Sequence, residues 1–245
     1  VTSKKFDAII FDLGLSSIQL DDLSRGFSFK SKDELNMSMG NTERSAKEFL
    51  NNCSYKDIKE IIKTFGDEDE ASKIAKNLVI ERKIHEIRTT DELVQIIKKS
   101  KKKNYKKKID ESTKTFQAIR IFVNKEISEL IEGIIKATKI LKPGGKLIVV
   151  SFHSIEDKIV KFYFKNYSKN YSRTNKYLPE KQKNLSLFEN YKNKTIKASL
   201  TEVKRNPRSR SAKLRVAIRS ADTFSDPKEL RNKFKYLTDL EGINA

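Results

Sequence analysis

Apolar positions along the chain follow three rhythms. Phe6–Asp12 (FDAIIFD) and Lys146–Phe152 (KLIVVSF) are short, nearly continuous apolar runs that open into Gly/Ser-containing turns, the pattern of buried strands in a parallel sheet. Between them the spacing becomes helical. Thr42–Asn52, Ser54–Phe65, Asp67–Ile87 and Thr90–Lys99 read as helices, with Ser54 and Thr90 in cap-like contexts and Asp67–Glu70 as an acidic first turn. Thr113–Leu141 follows as one long amphipathic helix or two joined ones, with Phe116, Ile119, Phe122, Ile127, Leu130 and Ile134 on its core stripe. Residues 20–41 are polar and punctuated by Gly, Ser and Asp, which predicts a loop. Ser154–Tyr167 is helical, and 168–194 has no period and reads as a loose surface segment. Ile196–Val203 and Leu214–Ser220 alternate around Asn206–Ser211, predicting an antiparallel pair that ends the sheet. Strands alternating with helices imply an α/β layout around a parallel sheet. There is no internal repeat.

Composition narrows the class. The 245 residues carry 52 Lys+Arg against 33 Asp+Glu, a net charge of +19. Fourteen Phe and eight Tyr argue against wholesale disorder. No apolar run approaches the ~18 residues of a membrane span. The single cysteine, Cys53, excludes an internal disulfide framework and fits a reducing, cytoplasmic compartment; one Cys and two His argue against a structural metal site. The charge is also uneven. Residues 1–50 hold 7 basic and 8 acidic side chains, whereas 151–219 hold 18 and 5. That asymmetry implies a polyanion-facing half. The run at 98–108, eight Lys in eleven residues, reads as a solvated loop rather than a phosphate-binding arm.

Candidate chemistry sits where strands end, because open parallel sheets bind ligands beyond the carboxyl ends of their strands. Asp12 ends the first run and Gly14 permits a tight turn beside a ligand. His153 and Ser154 leave the second run, and Glu156 and Asp157 enter the next helix. Asp12 is equally readable as a turn cap, and His153 as a hydrogen-bonded structural histidine. The Lys142-Pro143-Gly144-Gly145 step from helix to strand is common in methyltransferases that use S-adenosylmethionine. Arg205, Arg208, Arg210, Lys213, Arg215 and Arg219 gather without acidic sequence neighbours, alternating with Ser209 and Ser211. Arg forks and Ser hydroxyls both bind phosphate oxygens, and Arg stands out in a chain that otherwise prefers Lys.

Five blocks carry a more specific signal: AIIFDLGLSSIQLDDLSRGFSF at 8–29, LNMSM at 35–39, TFQAIRIFVNKEISEL at 115–130, LKPGGKLIVVSFHSIEDKIVK at 141–161 and NPRSRSAKLRVAIR at 206–219. In this order they closely resemble the bacterial ribosomal RNA small-subunit methyltransferase H (MraW) family. The resemblance implies a class I, Rossmann-like methyltransferase sheet interrupted by a helical insertion. The corresponding divisions are 1–41 and 113–245 for the methyltransferase domain and 42–112 for the insertion. It implies S-adenosylmethionine as cofactor, 16S rRNA of the small ribosomal subunit as partner, and transfer to the exocyclic N4 of one cytidine in the decoding region. By match, Asp12 and Gln19 contact the cofactor, with Gly14 in the same turn. Asp12 and His153 are the candidates for receiving the N4 proton, and Arg205, Arg208, Arg210, Lys213 and Arg215 for holding RNA. This chain has Asp-Leu-Gly-Leu where many amino-methyltransferases have Asn/Asp-Pro-Pro-aromatic, so Phe27 and Phe29 are taken as stacking candidates. The family's first βα units, its Gly-rich loop and its ribose-binding acid have no counterpart here, which implies an N-terminally truncated chain. The alternative is a non-catalytic rRNA- or ribosome-binding module, if these 245 residues are the whole protein.

Overall fold

The computed structural model describes residues 4–40, 44–101, 110–169 and 186–244. In chain order the elements are β1 (Phe6–Asp12), α1 (Ser17–Asp21), α2 (Ala46–Asn52), α3 (Tyr55–Gly66), α4 (Ala71–Glu81), α5 (Thr90–Ser100), α6 (Thr113–Asn124), α7 (Glu126–Ile140), β2 (Leu141–Ser151), α8 (Ser154–Asn166), β3 (Ile196–Lys197), α9 (Leu200–Arg205), β4 (Lys213–Ile218) and α10 (Lys228–Glu241). They divide into two compact units, 1–14 with 129–235 and 15–128 with 236–245. Most of the lysine run and residues 170–185 of the segment read as loose surface lie outside the described residues.

The first unit holds a four-stranded mixed sheet of order β1-β2-β4-β3. β1 and β2 are parallel, and β4 joins β2 antiparallel. The register places Ile9 beside Leu147 and Leu147 beside Ala217; one step along, Phe11, Val149 and Arg215 line up on the same face. That face is covered. α8 packs on β2 and β4. α7 approaches β1 so closely that a Cβ on Gly133 would lie 3.1 Å from the Phe11 ring, a tight contact that the ring would have to shift to accommodate. α10 closes over the two helices: Phe162 and Phe234 stack edge-to-face at 5.5 Å, and Arg231 forks onto Glu132 at 2.6 and 3.0 Å.

The second unit is helical. Ser45 with Glu48 and Thr89 with Glu92 form reciprocal capping boxes, and Ser54 caps α3 by accepting from Asp57 N. Ile58, Ile61, Ile62 and Phe65 make the buried stripe of α3, which packs on α4 and α6. Phe49 and Phe122 meet at 4.5 Å. Gly66 is held by proximity, because a Cβ there would lie 2.5 Å from the Lys114 carbonyl oxygen. The LNMSM block is a pinned loop: Leu35 and Met37 are buried, while the Asn124 amide donates to Met37 O and accepts from Met39 N.

Several local expectations change. The Phe6–Asp12 run is a strand parallel to β2, yet it is an edge strand with most of its residues exposed rather than a buried one. A run apolar on both faces announces two covered faces, and the described residues cover only one. Of the two readings of 113–141, the structure has the two joined helices, divided at Lys125, whose φ is +50°. The helix expected over 67–87 spans only Ala71–Glu81, and Asp67, at φ +50°, ends the preceding helix instead. The strand expected over 196–203 is a two-residue strand followed by α9, because Ser199 caps a helix by accepting from Glu202 N. Within the segment read as loose surface, Leu187 and Phe188 are fully buried, with the Phe188 ring 5.1 Å from both Tyr163 and Phe164.

Candidate functional site

Two sheet ends meet in the first unit. Asp12 is paired in register with Val150, and Leu13 N donates to Val150 O at 3.1 Å, so the turn after β1 runs beside the turn after β2. The Asp12 side chain is exposed, and its carboxylate takes no hydrogen bond among the described residues. Two residues on, Gly14 has φ +86°, a conformation that strains any residue with a Cβ; the Phe152 ring faces it, with space for an ordinary contact at 3.8 Å. The backbone conformation, not the room, demands glycine there.

His153 starts α8 as its N-cap. Its Nδ1 accepts from Glu156 N at 3.5 Å, and its Nε2 lies 3.1 Å from Glu156 Oε1. Glu156 Oε2 in turn accepts from Phe152 N at 2.8 Å and His153 N at 3.2 Å. The side chains are 6% and 3% exposed. Burial pushes the Glu156 carboxyl up, but the His153 ring and the two backbone N–H groups outweigh it and hold it below the usual range. Both ring nitrogens therefore face Glu156. The His-x-x-Glu spacing, an unusual form of the capping box, was the signal for this arrangement.

The basic candidates separate. Arg205, Arg208 and Arg210 are exposed on α9 and the 3-10 turn Pro207–Ser211, where Asn206 accepts from Arg208 N. Lys213 is half-buried and Arg215 is buried on the covered sheet face. Asp157, remote in sequence, meets both: Oδ1 accepts from Arg215 Nε at 2.7 Å and Oδ2 from Lys213 Nζ at 3.1 Å. Arg215 also donates to Tyr191 Oη at 2.9 Å. Burial raises the Asp157 carboxyl, but the two cations prevail and hold it low. Arg219 is buried as well, donating to the carbonyls of Leu187, Ser220 and Asp222.

Gln19 lies in the second unit, where it and Ser16 cap α1 reciprocally: Ser16 N donates to Gln19 Oε1 at 2.9 Å and Gln19 N to Ser16 Oγ at 3.2 Å. Phe27 is buried with the Arg25 guanidinium 5.3 Å from its ring centre, and Phe29 is edge-on to Phe116 at 6.3 Å.

Asp12 and Gly14 lie beyond the carboxyl end of β1, where open α/β sheets bind their ligands. Comparison makes the class specific. The model of the MraW methylase family matches residues 1–220, and the chain belongs to that family. It is 44% identical over 220 residues to "Ribosomal RNA small subunit methyltransferase H" of Ehrlichia chaffeensis, covering 88% of this chain and 70% of that protein. Proteins of the same name from Rickettsia massiliae and Wolbachia pipientis wMel are each 44% identical, covering 87% and 89% of this chain and 70% and 66% of theirs. Among the described residues no helix is long and apolar enough to cross a membrane.

Proposed function

We propose that this chain is the greater part of a cytoplasmic methyltransferase that moves a methyl group from S-adenosylmethionine to the exocyclic N4 of a cytidine in the decoding region of 16S rRNA. The single observation that carries the reading is family membership joined to an exposed, unengaged Asp12 at the sheet end. The fold in this reading is a class I, Rossmann-like sheet, with 42–112 as an insertion and the first βα units contributed from outside these residues.

S-adenosylmethionine supplies an electrophilic methyl group when bound. Asp12 and the Gly14 turn fit such a ligand, since a free carboxylate accepts from amino or hydroxyl groups and the turn lets backbone approach closely; Gln19 joins them by resemblance. The N4 lone pair of cytosine is conjugated into the ring and is a weak nucleophile. Rate therefore comes from holding the splayed base in line and from an acceptor for the departing N4 proton. Asp12 serves as that acceptor. His153, both nitrogens turned to Glu156, acts as a positioning residue that shapes the Phe152 turn beside Gly14. Arg205, Arg208 and Arg210 hold phosphates, while Lys213 and Arg215 anchor β4, the strand that follows their turn.

The test is transfer of labelled methyl from S-adenosylmethionine to small subunits lacking the modification, with the product nucleotide mapped by mass spectrometry. Label on N4 of a decoding-region cytidine, lost in Asp12→Ala, is the expected result. Label on another base, or full transfer by Asp12→Ala, overturns the respective part of the reading.

A further inference from the structure

Asp157 does more than take up the charges of Lys213 and Arg215. By binding both it fixes the first turn of α8 against β4, and so fixes which face of α8 looks outward. That outward face is cationic. Ser154, Lys158, Lys161 and Lys165 are the exposed positions of α8, and spacings of four, three and four keep them on one stripe. Both acids of the helix are turned inward, Glu156 against His153 and Asp157 against Lys213 and Arg215. The side chains of Lys158 and Lys161 make no ion pair or hydrogen bond among the described residues. Lys165 stands in the last turn, where the helix dipole itself favours a cation; Lys158, in the N-terminal half, has no such reason to be basic.

The stripe begins at the candidate site. β2 ends at Ser151, one residue past Val150, the register partner of Asp12, and Ser151 itself pairs with Lys213 at the start of β4. The turn Pro207–Ser211, which carries Arg208 and Arg210, leads into that same Lys213, and α8 starts just after Ser151. Asp12, the arginine turn and the first turn of α8 therefore share one end of the sheet. From Ser154, at about 1.5 Å per residue, Lys158 and Lys161 lie about 6 and 10.5 Å along the helix. Ammonium groups spaced along a rigid helix match a chain of regularly spaced anions. Lysine is a point charge without the planar fork that reads base edges, and the stripe has no aromatic side chain to stack on a base. Its chemistry suits a nucleic-acid backbone.

We propose that Lys158 and Lys161 are a second phosphate track, separate from the arginine turn, which holds the RNA backbone along α8 as it leaves the Asp12 site. The track positions RNA without reading its sequence. It supplies the cations that Lys213 and Arg215, tied to Asp157, do not. This rests on the reading above of rRNA as the substrate, but not on which base or atom is methylated.

The test titrates the 245-residue chain with a decoding-region RNA hairpin and with a scrambled RNA of the same length. Lys158→Ala/Lys161→Ala removes the charges with a residue that keeps the helix, and Lys158→Arg/Lys161→Arg restores them. The double alanine variant should reduce the slope of log affinity against log salt by about 1.4–1.8 on both RNAs, while the double arginine variant keeps the parent slope. In amine acetylation read by mass spectrometry, bound RNA should protect Lys158 and Lys161. Lys139, which precedes the amino end of β2, should react as in the free chain. An unchanged slope in the double alanine variant overturns the proposal, as does equal acetylation of Lys158 and Lys161 with and without bound RNA. A slope reduced equally by arginine would assign the effect to packing and overturn it too. A parent chain that binds neither RNA removes this proposal together with the rRNA reading. Binding with the stripe protected but no methyl transfer removes only the activity.

Discussion

Arg215 and Asp157 meet at 2.7 Å on the covered face of the sheet, joining β4 to the first turn of α8 across 58 positions of sequence. Both side chains are nearly inaccessible, at 6% and 12% exposure. Removing one partner strands the other's charge, so Asp157→Ala should cost about 3–5 kcal/mol, while a paired Asp157→Leu/Arg215→Met change should recover most of it. Denaturant melts of the three proteins check this. Because the Asp157 carboxyl is held low in the folded state, its contribution is complete above the ordinary carboxylate range and is lost as pH falls below about 4. A variant Asp157→Asn should flatten that acid limb.

The separation of the arginines predicts two kinds of phenotype. Arg208→Ala and Arg210→Ala should weaken rRNA binding, each lowering the slope of log affinity against log salt by about one. Arg215→Ala should instead lower the melting temperature. Equal salt slopes for parent and Arg208→Ala/Arg210→Ala would remove these residues from the RNA interface.

His153 accepts a backbone N–H at Nδ1, which leaves the proton of the neutral ring on Nε2. Nitrogen NMR should report that tautomer, with His85→Asn resolving the assignment between the two histidines. Asn is a strong N-cap, so His153→Asn should keep methyl transfer within about threefold, whereas His153→Leu should lose the cap, worth ~1 kcal/mol, and most of the activity. A folded His153→Asn protein with no activity would return the proton-acceptor role to this residue.

Glu241 is buried at the end of α10, accepting from Ile127 N at 2.7 Å and from Ser128 N and Oγ at 2.8 and 2.5 Å. Burial raises its carboxyl to about 7 even against these three donors. A carboxyl raised on folding binds its proton in the folded state after the unfolded chain has released it. Stability should therefore be full below the ordinary range near 4.5 and decline as pH rises to about 7, by no more than about 3 kcal/mol. Glu241→Gln should abolish that slope between pH 5 and 8 in thermal melts; an unchanged slope would assign it to another group.

Much of this protein is local and therefore legible in its sequence. The strand cores of β1 and β2, the cap at Ser54 and the helical stripes of α3 and α6 depend on residues within a few positions of one another; the caps at Ser45 and Thr89 lie off the expected starts at Thr42 and Thr90. The acid and glycine that end β1 are visible for the same reason. The five motif blocks likewise announce the family. What sequence could not show depends on partners brought from far away. Arg215 looked like a phosphate ligand because its neighbours are basic, until the fold set Asp157 against it. The Phe6–Asp12 run looked buried because it is apolar on alternating sides, but burial requires a second layer, and no spacing within a strand says whether that layer is there. Even Ser199 and Glu202, close as they are, decided between strand and helix only where backbone hydrogen bonds were available to α9. Periodicity and capping specify the elements; the pairing of faces and charges between elements is settled by packing alone.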